Sequence, residues 1–176
     1  MTTDLTSAPV PPLRADDHVR GPAHAPLVIV YADFTCPRCA LTAARLADRP
    51  LRVCFRHFAL DSRDARALPS ARAAEAAAAQ GAFWAFHDAL YADQGRLDDP
   101  HLWARCEGLG LDVDRFDADR RGSPAAERVA RDVRDAMRAG AAATPALVLP
   151  DGTLHQGAPN EALLAGIAPV GPGPSG

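Results

Sequence analysis

Lysine is missing from this sequence of 176 residues; all 19 basic residues are arginine. That absence removes mechanisms built on a lysine Schiff base or on the lysine of a phosphate-binding loop. The GxxxxGK[ST] and GxGxxG patterns are absent as well. No apolar run approaches the roughly 18 residues that a membrane-spanning helix needs, so no membrane partner is expected. Basic excess is lacking too: 22 acidic residues give a formal net charge of -3. That balance excludes nucleic-acid binding that rests on bulk electrostatics. The stretch Met1 to Arg20 has no basic segment followed by an apolar one, so it does not read as a secretory signal. The expected location is cytoplasmic.

What is present fits one compact domain. At 176 residues and 48% hydrophobic, the chain can bury a full core without covalent staples. About a fifth of the residues are alanine, which favours long helices. Only four cysteines occur, too few in a chain of this length to read as a disulfide framework. Two of them, Cys36 and Cys39, form a C-x-x-C, whereas Cys54 and Cys106 stand alone. This asymmetry is the most informative feature of the sequence.

The run Leu27-Val28-Ile29-Val30-Tyr31-Ala32 is short, continuous and rich in β-branched residues, as in a strand buried on both faces. A helix pattern starts at Cys36-Pro37, where proline at the first helical position is well tolerated, and Arg49-Pro50 stops it. Leu51 to Phe58 alternates apolar with basic residues and reads as a second strand. The order so far is β-α-β, with the dithiol at the first strand-to-helix junction. A long helical region follows, from Pro69-Ser70 to Gly140. Sheet character returns at Ala146–Leu149, Pro150-Asp151-Gly152 suggests a hairpin, and Pro159-Asn160-Glu161 starts a last helix.

Cysteines three apart on a regular helix lie about 5–6 Å apart at Cβ, whereas a disulfide wants roughly 3.8 Å. The bond closes only at a first turn, where the backbone is not fully helical, and Pro37 places Cys36 there. The dipole and unpaired N–H groups of a helix N-terminus also favour a thiolate, and the Arg38 side chain could add positive charge. Lowering a thiol from about 8.5 to about 6 raises its thiolate fraction at pH 7 roughly thirtyfold, but lower basicity takes back about tenfold in nucleophilicity. Such a site sets redox poise and makes Cys36 a good leaving group. Half of a zinc site is the competing reading. Spacing counts against it, since there is no second C-x-x-C, no H-x₃₋₅-H, and the six histidines are scattered, and a zinc-holding structural site stays a third reading that metal analysis of the reduced protein decides. No metal is expected.

VYADFTCPRC after a buried strand, the long helical insertion, and Ala143-Thr144-Pro145-Ala146 before the next strand together resemble the DsbA-like group of thioredoxin-fold proteins. The likeness spans about Asp17 to Ile167. It implies an α/β thioredoxin-like fold (β-α-β, then ββα) with an inserted helical subdomain at about 68–140. Residues 23–168 would form that domain, 1–22 a flexible arm and 169–176 a disordered tail. By the same resemblance Cys36 is the nucleophile, Cys39 the resolving thiol, and Pro37 and Arg38 tune the pair. Pro145 follows a cis peptide bond facing the dithiol, and Thr144 offers backbone groups to an extended substrate segment. Asp33 is a candidate proton relay. Two positions depart from the family pattern: Arg38 stands where His or Tyr is usual, and Ala143 where Gly often precedes Thr-Pro.

The expected activity is disulfide exchange with protein or small-thiol substrates, with no bound cofactor and with a small thiol or a reductase for recycling. The alternative is a non-catalytic binding module or redox sensor, with Phe34, Thr144 and Pro145 forming a recognition groove. Cys54 and Cys106 read as buried small hydrophobes, and Trp84, Phe86 and Trp103 as core of the insertion. His57 and His87 read as hydrogen-bonded structural histidines. The charged helix over 127–138 reads as a solvated face.

Overall fold

The computed structural model describes residues 12–167. The elements are β1 (His18–Arg20), β2 (Leu27–Ala32), α1 (Pro37–Ala47), β3 (Arg52–His57), α2 (Ala67–Ala78), α3 (Phe83–Ala92), α4 (Asp99–Gly108), α5 (Val113–Arg121), α6 (Ser123–Arg138), β4 (Ala146–Val148), β5 (Leu154–Gln156) and α7 (Glu161–Gly166). The strands form one sheet in the order β1-β3-β2-β4-β5. Strands β2 and β3 run parallel, joined through α1, and the other three pairings are antiparallel. This bears out the thioredoxin-like fold with its helical insertion.

The continuous apolar run of β2 has a simple cause. Val28, Val30 and Ala32 face one core, which holds Cys39, Leu46, Phe55, Phe86 and Leu90. Ile29 and Tyr31 face the other, with Cys54, Phe58, Ala136 and Val148. Successive strand residues point to opposite faces, so a strand covered on both sides must be apolar throughout. The active helix starts from the end of this strand.

Two expectations are corrected here. The arm expected over 1–22 contains β1, which pairs with β3; residues 1–11 of it lie outside the described residues, as does all of the expected tail over 169–176. Gly21 shows how closely this segment packs. It adopts φ +99, and a Cβ there would meet the Leu51 carbonyl oxygen at 2.1 Å. The second correction concerns the charged helix, α6. Its Arg128, Asp132 and Asp135 are buried, not solvated. Asp132 accepts from Arg14 at 2.6 Å and from the His57 N–H at 3.1 Å, and Asp135 accepts from Arg14 at 2.5 Å. The partners come from residues before β1 and from the sheet, so a charge pattern read along α6 alone cannot reveal them.

The deepest pair in this cluster is Arg56 with Asp17, 2.7 Å apart with both side chains fully buried. Arg56 also donates to the Tyr31 hydroxyl and the Pro12 carbonyl. Burial opposes ionisation of Asp17, but Arg56 and Arg14 outweigh it and hold its pKa at about 2. A depressed carboxylate stabilises the fold above its unfolded pKa, near 3.9, and that contribution is lost as pH falls through about 2. Asp17→Asn leaves a buried guanidinium short of its counter-charge and is expected to cost about 3 kcal/mol. Urea unfolding at pH 7 measures this, and the gap between variant and parent should narrow as pH falls from about 4 to about 2.

Candidate functional site

Cys36 occupies the N-cap of α1 in extended conformation, φ -86 and ψ 117, with Pro37 in the first turn. Its carbonyl accepts the first helical bonds, from Cys39 N at 3.0 Å and Ala40 N at 3.3 Å. The Cys36 sulfur is therefore half-buried at the helix mouth, while Cys39, one turn on, is 1% exposed. Helix geometry alone separates an accessible sulfur from an enclosed one.

The two ionise oppositely. Hydrogen bonds from the Cys39 thiol, the Thr144 side chain and the backbone N–H groups of Cys39 and Arg38 hold the Cys36 pKa at about 5, against a desolvation penalty. At pH 7 that sulfur is about 99% thiolate. Burial drives Cys39 far the other way, reinforced by its hydrogen bond to Cys36. The contribution traced to Arg38 is its backbone N–H, where the sequence suggested the side chain, and that side chain is exposed.

The loop before β4 closes over the dithiol. The Thr144–Pro145 peptide bond is cis, and Cys36 Sγ lies 3.5 Å from the Thr144 carbonyl oxygen, to which the thiol form donates. Five of the seven residues singled out in the sequence meet here: Cys36, Pro37, Cys39, Thr144 and Pro145. Arg38 adjoins the site through its backbone. Phe34 does not form a groove. It is 1% exposed, stacked on Phe55 at 5.2 Å and packed against Tyr91 at 5.0 Å. The Asp33 carboxylate bonds Thr35, while burial and the nearby Cys36 charge raise its pKa. Its Oδ1 accepts from Thr35 N and Oγ1 at 2.8 and 2.9 Å, whereas the Asp33 backbone N–H points to Cys39 Sγ at 3.5 Å.

Sequence reasoning missed Gln94, in the loop after α3. Its Nε2 donates to the carbonyls of Phe34 at 2.7 Å and Cys36 at 3.0 Å, tying the insertion to the active turn. Nothing in its local pattern marks it. The histidines are also less scattered than they read. Nε2 of His18 and of His57 each lie 2.7 Å from Oε1 of Glu75. Among the described residues, this is the one grouping whose ligand atoms come within 4.8 Å of one another in a way that could hold a metal. The 2.7 Å spacings are those of hydrogen bonds, and the trio braces β1 and β3 against α2. Cys54 and Cys106 are fully buried. Burial raises both thiols, Cys54 to about 12.

A dithiol at the mouth of the helix after a central strand, beneath a cis-proline loop and beside a helical insertion, defines the class: a thioredoxin-fold dithiol protein. The chain belongs to the thioredoxin family, whose description, "Thioredoxin", matches residues 14–167. It is similar to a thioredoxin-like oxidoreductase from Silicibacter pomeroyi, at 25% identity and TM-score 0.77, over 86% of this chain and 90% of that one. DsbA2 from Pseudomonas aeruginosa shares the fold at 24% identity and TM-score 0.69, over 89% and 94%. A curated relative, Na(+)/H(+) antiporter NhaA 1 of Salinispora arenicola, is 45% identical over 169 residues, which is 90% of this chain and 25% of the relative. The chain thus spans about a quarter of the length of such relatives.

The comparisons overturn the cytoplasmic placement, because the solved relatives are periplasmic or secreted DsbA-family oxidoreductases. Twenty residues without an apolar stretch were no measure of compartment.

The thiolate carries a pH signature. A thiol whose pKa is depressed to about 5 stabilises the folded, reduced protein fully above its unfolded value near 8.5, and the contribution is lost as pH falls through about 5. The oxidised protein lacks this group. Thermal unfolding of both forms is expected to show the reduced form gaining on the oxidised one between about pH 5 and pH 8.5. Cys36→Ser should remove the trend.

Proposed function

We propose that this domain exchanges disulfides with protein substrates through Cys36 as the attacking and leaving sulfur and Cys39 as the resolving one. Its favoured direction is the oxidation of protein thiols. The carrying observation is the asymmetry of the pair, with Cys36 held as a thiolate near pKa 5 while Cys39 stays a buried thiol. Stabilising the reduced form makes the disulfide the stronger oxidant. Each tenfold gain in thiolate ionisation is worth about 1.4 kcal/mol, or about 30 mV in a two-electron couple.

In the oxidising direction, a substrate thiolate attacks Cys36 of the Cys36–Cys39 disulfide and Cys39 departs, taking up a proton. A second substrate thiolate then attacks the substrate sulfur of the mixed disulfide, and Cys36 leaves as the thiolate. The substrate disulfide forms and the protein dithiol is left reduced. Pro37 fixes the turn that sets the sulfurs at different depths. Thr144 and Pro145 would line an extended substrate segment beside Cys36. The reduced pair returns to the disulfide by exchange with a small disulfide or a dedicated oxidoreductase. Ion transport, in the names of the curated relatives, is not carried over: no described helix is long and apolar enough to cross a membrane.

Cys39→Ser is expected to accumulate substrates as mixed disulfides on Cys36, visible as thiol-sensitive adducts on non-reducing gels. Cys36→Ser should form none and lose at least about a thousandfold in disulfide transfer to a reduced, unfolded test protein. Equal transfer by Cys36→Ser and parent would sink the reading.

A further inference from the structure

Exchange through Cys36 leaves one requirement unmet: Cys39 must lose a proton to attack and regain one when it departs, although it is enclosed. Beside it lies a cavity of about 20 Å³ walled mainly by apolar side chains of α1, β2 and β3, with Arg20, Cys39, Thr42, His87 and Tyr91 supplying its polar groups. That is room for one water molecule. The Thr42 hydroxyl donates to the Arg38 carbonyl at 2.8 Å, and the Tyr91 hydroxyl to the Asp33 carbonyl at 3.4 Å.

His87 is placed differently. The ring is 3% exposed, and its Nδ1 lies 2.7 Å from Oδ1 of Asp88. Asp88 is itself 59% exposed and pairs with Arg20 at 2.9 Å. An ionised carboxylate only accepts, so Nδ1 carries the hydrogen and Nε2 is the basic nitrogen of the neutral ring. Asp88 and His87 together span from solvent to the cavity wall.

We propose that His87, oriented by Asp88, relays the proton of Cys39 through a single water in this cavity. The proposal rests on the exchange reading of Cys36 and Cys39. When a mixed disulfide on Cys36 resolves, the Cys39 proton passes through the water to Nε2. The Cys39 thiolate then forms the bond to Cys36 Sγ, and the substrate sulfur leaves with the electron pair of the broken bond. In the oxidising direction the imidazolium returns that proton to the departing Cys39. The groups facing His87 are Asp88 and Tyr91 on its own helix, Arg20 of β1, His57 of β3 and Cys39 of α1. Burial, Arg20 and His57 lower the His87 pKa, against the raising effect of Asp88. The ring is therefore a neutral base at pH 7. Tyr91, raised by burial, stays a phenol.

Mixing the reduced protein with dithiobis(nitrobenzoate) in a stopped-flow instrument separates the two steps. The first coloured thiolate reports attack by Cys36 and the second reports resolution by Cys39. His87→Gln is expected to slow the second phase at pH 7 by about tenfold or more. Its deficit should narrow as pH rises and the first phase should be unchanged. Asp88→Asn, a change at an exposed position, should slow the second phase by about threefold and move its inflection to lower pH. An unaffected second phase in His87→Gln, a deficit equal at every pH, or equal slowing of both phases would overturn the relay. Should His87→Gln not fold, an unmoved inflection in Asp88→Asn overturns it. A second phase that persists in Cys39→Ser would instead sink the exchange reading beneath it.

Discussion

Two sulfurs one helical turn apart experience opposite electrostatics, and the rest of the molecule maintains that difference. Cys36 sits where α1 has N–H groups without intrahelical acceptors, so a negative charge there is solvated by the backbone. Cys39 sits where the helix is complete and the surroundings are apolar, so charge there costs desolvation. Neither condition survives without a rigid frame. Strand β2, buried on both faces, fixes the start of the turn. Gln94 and Tyr91 hold its carbonyls from the side of the insertion, and Thr144 covers the sulfurs from the loop before β4.

The low pKa of Cys36 does little for speed. Relative to an ordinary thiol near 8.5, a value of about 5 raises the thiolate fraction at pH 7 on the order of thirtyfold. With a Brønsted slope of about 0.45, the same change lowers intrinsic nucleophilicity on the order of thirtyfold. The two effects cancel in attack. What remains is the thermodynamic effect and the ease with which Cys36 departs, both of which favour handing a disulfide to a substrate. These two effects are what the proposed direction of exchange rests on.

Much of this was legible in the chain because it rests on local chemistry. The double-sided burial of Leu27–Ala32, the Pro37 helix start, the C-x-x-C spacing and the Thr-Pro before a strand each follow from a few adjacent residues. The features that escaped depend on partners distant in sequence. Asp132 is 118 residues from Arg14, so a helix that looks like a solvated charge ladder is in fact one half of a buried cluster. Phe34 adjoins the dithiol in sequence, yet its ring turns into the core under α3. Gln94 acts through an amide group whose sequence context carries no pattern at all. The compartment was inferred from a missing feature, and missing features constrain little.

The buried cluster and the active turn are mechanically linked. Asp132 accepts from the backbone N–H of His57, and His57 bonds Glu75 of α2. The neighbouring Arg56 pairs with Asp17 just ahead of β1. The end of β3 is thereby tied to α6, to α2 and to the segment before β1. Strand β3 is the parallel partner of β2, and the chain leaves β2 directly into the Cys36 turn. Breaking a buried ion pair is costly because it strands a charge, even where the intact pair adds little net stability. Such a cluster therefore penalises alternative packings more than it strengthens the native one. Its contribution to the site is to leave β2 a single position from which to present Cys36, and the narrow separation of exposed thiolate from buried thiol depends on that position.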